Sequence, residues 1–172
     1  LEQGLRYLNM MYPMPEPVYK VIDEQDWAEA WKVHYHPVRI GKRLFIRPRW
    51  IDIEIPEGAV EISLDPGMAF GTGTHPTTQL CLEALEEYVQ PGLRILDLGT
   101  GSAILAIAAA KLGATEVLGL DNDSVAVSVA IDNVRESGVQ DIITIQEGSL
   151  ETVITSARRF DMIVVNILAR II

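Results

Sequence analysis

From Arg94 onward, short apolar strands alternate with helices, and this alternation constrains the fold more than any other feature of the chain. Arg94–Leu98, Val117–Leu120, Ile142–Ile145 and Phe160–Ile167 read as strands rich in Ile, Leu and Val. Between them, residues 103–112, 124–137 and 150–157 read as helices, the second with Ser124 as its front cap and Gly138 behind it. Such alternation builds right-handed βαβ units around a parallel sheet, so the expected class is α/β.

Upstream the pattern is less regular. Residues 1–22 contain Pro13, Pro15 and Pro17 and read as an irregular linker. Trp27, Ala28, Ala30 and Trp31 give helical spacing over Asp23–Val33. Val38–Ile40 and Leu44–Ile46 flank Gly41-Lys42 and predict a hairpin, and Val60–Leu64 predicts a strand. The stretch from Asp65 to Thr74 is a loop, and Pro76 opens a helix that runs to about Val89. A linker, helix and hairpin segment is therefore expected over 1–59, and a ligand-binding domain over 60–172. The last strand, in the run MIVVNIL, is apolar enough to belong in mid-sheet, covered on both faces. Left as an edge it would invite aggregation, so the natural protein is expected to continue and the sheet to be incomplete at the C-terminus.

Charge narrows the function classes. The chain has 172 residues and a net charge of −10, of which residues 61–172 supply −9. That balance disfavours DNA binding and membrane surfaces, and it tolerates a cationic ligand or a basic protein partner. The longest apolar run, Ala103 to Ala110, is far short of the roughly 20 residues that span a bilayer, and no leader-like pattern follows Leu1. A single cysteine, Cys81, fits a reducing, cytoplasmic location.

Four signals carry the chemistry. The first is Asp97-Leu98-Gly99-Thr100-Gly101-Ser102-Ala103, at a strand end that opens a helix. Glycines there let a ligand approach the backbone closely. The third glycine of the dinucleotide fingerprint is missing, because Ile104 occupies its position. NAD and FAD therefore fit poorly, and a plain tight turn is the alternative. The second is Asp121, which ends the next strand 22 residues after Gly99. It can accept both hydroxyls of a ribose, or be a solvated loop acid like Asp123. With Asp97 it makes an acidic cradle, suited to an ammonium or sulfonium and unsuited to a pyrophosphate. The third is Asn166, in Val-Val-Asn-Ile-Leu-Ala, which either holds an amine or caps the strand end. The fourth is the loop from Asp65 to Thr78, which either closes over a ligand or supplies the helix cap through Thr74 or His75. His34, His36 and His75 form no recognised metal motif, so no metal is expected. Arg39, Lys42, Arg43, Arg47 and Arg49, with Phe45 and Trp50, make either a contact surface for RNA or substrate or, preferably, a solvated hairpin face.

Taken together, these residues resemble those of a known family. The glycine turn, Asp121 and the Asn166 strand are similar to class I S-adenosylmethionine-dependent methyltransferases. The strings LDPGMAFGTGTHPTT, ILDLGTGSAILAIAAAKLGA and VVNILA, with the lead-in DWAEAWKVHYHPVRIGKRLFIRP, resemble the bacterial ribosomal protein L-eleven methyltransferases over about residues 23–170. The resemblance implies a Rossmann-like class I sheet and methyl transfer from S-adenosylmethionine to the N-terminal α-amine and lysine ε-amines of a large-subunit ribosomal protein. It implies that Thr78, Gly99, Asp121 and Asn166 bind the cofactor and that Phe70 and Thr72 lie in a loop that folds over it; the acidic cradle and the glycine turn add Asp97 and Gly101 as expected cofactor contacts. Asn166 is also the expected catalytic residue. The family's small N-terminal recognition domain and its later strands are expected to lie outside this stretch of sequence. Thr100 and Ala103 stand where the family usually has Cys and Gly, and the Ala103 methyl is expected to be tolerated in the first helical turn. Superfamily members acting on nucleic-acid or glutamine nitrogens often carry Asn-Pro-Pro-Tyr at this strand. Asn166-Ile167-Leu168-Ala169 offers no aromatic to stack on a flipped base. The alternatives are a cofactor-binding but inert chain, or a methyltransferase of the same superfamily acting on another protein or nucleic-acid nitrogen.

Overall fold

Apolar strands flanked by Gly and Pro become two separate sheets in the computed structural model, which describes residues 36–64, 75–156 and 158–167. The first sheet holds β1 (Val38–Ile40), β2 (Leu44–Pro48) and β3 (Val60–Leu64), in that order. Strands β1 and β2 form the expected antiparallel hairpin around Gly41, while β3 runs parallel to β2 from Leu44↔Val60 to Pro48↔Leu64. The division drawn at residues 59 and 60 thus falls inside this sheet. The helix read over Asp23–Val33 and the proline segment lie outside the described residues.

The second sheet is all parallel, in the order β6 (Ile143–Glu147), β5 (Glu116–Asp121), β4 (Arg94–Leu98), β7 (Met162–Val165). Its helices are α1 (Pro76–Tyr88), α2 (Ile104–Lys111), α3 (Ser124–Glu136) and α4 (Leu150–Ser156). The alternation read from the sequence is therefore the observed one. Strand β7 is shorter than the predicted 160–167 and, among the described residues, forms an edge beside β4, with Ile163 55% exposed.

Helix α2 explains how the two sheets share one core. Every residue from Ile104 to Ala110 is buried, so the helix has no polar face. A helix that is apolar all round must be covered all round. It touches β4, β5 and β6 of the parallel sheet, β3 of the other sheet, and α1. Four alanines among its eight residues let these neighbours approach closely. The core that results runs from Ile40, Leu44 and Ile62 through Leu82 to Ile95, Val117 and Ile143.

The caps differ in one respect from the sequence reading. Helix α3 is capped by Asp123, whose carboxylate accepts from the Val125 amide at 2.9 Å, and not by Ser124, which is its first residue. Asp in this position satisfies an orphan N–H and faces the positive end of the helix dipole. Helix α1 is capped by His75, whose Nδ1 accepts from the Thr77 amide, with Pro76 at the first turn.

Glu86 pins the hairpin to α1. Its carboxylate accepts from the Lys42 amide at 2.6 Å and from the Arg43 amide. Gly41 has φ 59°, and a Cβ there would overlap the Glu86 Oε2. Glu86→Ala strips both amides of their acceptor and is expected to cost about 2 kcal/mol. The measurement is the urea midpoint, which should fall with an unchanged slope; a midpoint equal to that of the unaltered protein would remove Glu86 from this role.

Candidate active site at the C-terminal end of the parallel sheet

Strand β4 ends in Asp97 and Leu98, and the chain then turns through Gly99 to Ala103 into α2. In open α/β sheets ligands bind in this place, beyond the carboxyl ends of the strands. Gly99 has φ 75° and Gly101 has φ 54°. A Cβ on Gly99 would overlap Ile167 Cγ2, so the first glycine is fixed by a close approach of the segment after β7. The amides of Gly99 and Thr100 both donate to the Leu120 carbonyl at 2.8 Å, which ties the turn to the end of β5.

Asp121 completes the turn. Its Oδ2 accepts from the Gly101 amide at 2.9 Å and its Oδ1 from the Asp123 amide at 3.1 Å. This separates it from Asp123, an exposed helix cap. Each Asp121 oxygen retains lone-pair capacity for a further donor, as a ribose diol would require.

Asp97 is fully buried. Its Oδ2 accepts from Thr100 Oγ1 at 2.7 Å and from the Ala106 amide at 3.2 Å, while its Oδ1 has no partner among the described residues. Burial pushes its pKa from 3.8 up to about 6, the Thr100 and Ala106 hydrogen bonds pull it down, and the charge of Asp121 adds to the rise. A buried carboxylate oxygen with spare accepting capacity, next to a second carboxylate, suits a cationic ligand group. Burial also raises the pKa of the Cys81 thiol on α1, and the charge of Asp97 adds to it.

Asn166 follows β7, and its Nδ2 donates to Thr78 Oγ1 at 3.1 Å. Thr78, in the first turn of α1, is 1% exposed. This bond joins two expected positions that lie 88 residues apart. Gly99 against Ile167, Gly101 on Asp121 and Asn166 on Thr78 together draw six of the eight expected residues, Asp97 included, around one strand end. Phe70 and Thr72 lie outside the described residues.

Two points depart from the sequence reading. Ala103 is not in the first helical turn; it is the N-cap, with φ 64° and ψ 18°, in the left-handed region. An alanine there costs roughly 1–2 kcal/mol, a cost glycine escapes, which is why glycine suits this position. The basic hairpin residues are largely engaged within the chain. Arg47 pairs with Glu61 at 2.6 Å, Arg43 with Glu86 at 3.6 Å, and Arg49 donates to Asn133. These pairings fit the hairpin-face reading of the cluster better than a surface that contacts RNA or substrate.

The sequence placed Thr100 and Ser102 in the turn without a role for either side chain and left Asn133 unnoticed; all three are buried polar residues around the turn. Asn133 had a signal: it falls in phase with Ala126 and Ala130 on the apolar side of α3.

Among known proteins, the family model described as Ribosomal protein L11 methyltransferase (PrmA) matches residues 5–172. The protein of Chloroflexus aurantiacus with that name is 53% identical over 150 residues, which cover 87% of this chain and 46% of the relative. The Desulfitobacterium hafniense protein is 51% identical over 177 residues, covering 100% of this chain and 55% of the relative. The chain spans about half the length of these relatives. A crystal structure of the ribosomal protein L11 methylase from Lactobacillus delbrueckii subsp. bulgaricus superposes with a TM-score of 0.72 at 41% identity, covering 80% of this chain and 69% of that one.

The raised pKa of Asp97 makes the stability of the fold depend on pH. With its folded pKa above the unfolded value, the folded state holds the proton more tightly, so stability is lost as pH rises from about 4 to about 6 and is level above that. The displacement is worth roughly 3 kcal/mol. Asp97→Asn removes this dependence, so the stability difference between variant and parent should grow in favour of Asn across that window. Chemical denaturation at pH 4.5 and 7.5 measures it, and an equal difference at both values would contradict the buried, ionisable Asp97.

Proposed function

Because the chain belongs to the ribosomal protein L11 methyltransferase family, we propose that it binds S-adenosylmethionine on the β4–α2 turn and methylates amines of a large-subunit ribosomal protein. The amines are the N-terminal α-amine and lysine ε-amines, and the setting is cytoplasmic. One observation carries the reading: residues distant in sequence, Thr78, Gly99, Asp121 and Asn166, are linked around a single strand end by the contacts described above.

The residues present suit this cofactor. Asp121 is supported as the acceptor for the ribose hydroxyls, and Asp97 with its spare Oδ1 supplies negative potential for a molecule carrying an ammonium and a sulfonium. Gly99 and Gly101 leave the backbone bare for close contact. When bound, S-adenosylmethionine supplies the activated methyl and its own leaving group, so the protein's task is positioning.

Asn166 is proposed as the catalytic residue. Its Nδ2 is committed to Thr78 Oγ1, which fixes the amide and presents Oδ1 as an acceptor. An acceptor can take an N–H from a neutral amine and leave the nitrogen lone pair directed elsewhere, but it cannot neutralise an ammonium by removing its proton. Lysine, with an ordinary pKa near 10.4, must lose its proton to water before or on entry, and a partly apolar approach favours that loss. Activity should therefore rise with pH through the neutral range.

A narrower reading is cofactor binding without turnover. It is favoured by one fact, that the chain spans about half the length of its relatives. Two measurements test the proposal. In calorimetric titration with S-adenosylmethionine, Asp121→Ala should weaken binding at least about tenfold, since it removes two charge-assisted acceptors; unchanged affinity would refute the ribose role. Transfer of a radiolabelled methyl to the purified ribosomal protein should be detectable with the unaltered chain and be lost in Asn166→Ala. Binding without any transfer would select the narrower reading.

A further inference from the structure

Asn133 of α3 is buried to within 2% of its surface, on the helix side otherwise lined by Ala126, Ala130 and Val134. An apolar residue there would avoid the cost of desolvating an amide. The amide instead bridges two distant segments. Its Nδ2 donates to the Ser102 carbonyl at 3.0 Å, and its Oδ1 accepts from Arg49 Nη2 at 3.3 Å. A carbonyl only accepts and a guanidinium only donates, so these two partners fix which way the amide faces.

Ser102 belongs to the glycine turn. The peptide that joins it to Ala103 is held on its other side by the Ala103 amide, which donates to the Thr100 carbonyl at 2.8 Å. The torsion immediately after that peptide is the left-handed φ of Ala103. Relaxing Ala103 toward the ordinary region would swing the Ser102 carbonyl away from Asn133. The Asn133 bond therefore opposes the strain that the Ala103 methyl creates. Arg49 reaches Asn133 from the end of β2, where its own amide is anchored to the Leu64 carbonyl of β3 at 3.0 Å. Its charge polarises the amide and strengthens the donor end.

We propose that Asn133, backed by Arg49, is a positioning residue that holds the β4–α2 turn in its ligand-binding conformation and so couples the hairpin sheet to cofactor affinity. Neither residue touches the cofactor in this account, which rests on the reading that S-adenosylmethionine binds this turn.

The test compares S-adenosylmethionine affinity by calorimetry, thermal stability, and amide exchange at Gly101 and Ala103. Asn133→Asp keeps the volume and the acceptor for Arg49, but it removes the donor and sets a carboxylate against the Ser102 carbonyl. It should weaken the cofactor about tenfold and speed exchange at both amides. Arg49→Met, at an exposed position that should not threaten folding, should weaken it about threefold, and adding it to Asn133→Asp should bring little further loss. Val134→Ala serves as the structural control: it should lower the melting temperature and leave affinity unchanged. If Asn133→Asp behaves like Val134→Ala, or, should that variant fail to fold, if Arg49→Met binds as the parent does, the positioning role is overturned. If the unaltered protein binds no S-adenosylmethionine, the cofactor reading falls and this inference with it.

Discussion

A carboxylate buried at the end of a parallel strand is the constraint on which the site depends. Asp97 has one oxygen engaged by Thr100 and the Ala106 amide and the other without a partner among the described residues. Those two bonds tie the strand end to the turn and to the first part of α2. The turn must then pass over the carboxylate within five residues, which it does with Gly99, Gly101 and Ala103 at positive φ. A protein built only for stability would place an apolar residue here. The retained charge is intelligible as part of a site for a cation.

The surroundings follow from that geometry. Helix α2 starts directly from the strained turn and has no polar face, so it must be covered by the two sheets and by α1. The cover brings Thr78 of α1 beside Asn166, and it brings the hairpin sheet close enough for Arg49 to reach Asn133. Packing and site geometry are therefore one problem. The all-alanine character of much of α2 sets how near these groups can come to the turn.

The sequence made the backbone legible because apolar strands and capped helices each leave a local pattern. Strand β4 was read at its observed ends, and α1, β5 and α3 to within about a residue. Less legible were features set by contacts between segments. Strand β3 was assigned to the ligand-binding part, yet it pairs with β2, and nothing in VEISL states which sheet it joins. Ala103 looked helical because alanine favours helices, whereas the turn geometry forces it into the left-handed region. Asp121 and Asn166 were found through their places at strand ends. Asn133 was passed over because an asparagine on a helix is ordinarily a solvated residue, and only its phase with buried alanines marked it. The roles of Thr78 and Asn166 came from resemblance, and the bond between them gives that pairing a physical basis.

Whether the β4–α2 turn is a cradle for S-adenosylmethionine can be seen in a crystal structure of the chain with S-adenosylhomocysteine. The ribose hydroxyls should lie on the Asp121 carboxylate and the amino-acid part over Gly99, between Asp97 and Asn166. A nucleoside bound elsewhere, with Asp121 still contacting only the Gly101 and Asp123 amides, would contradict it.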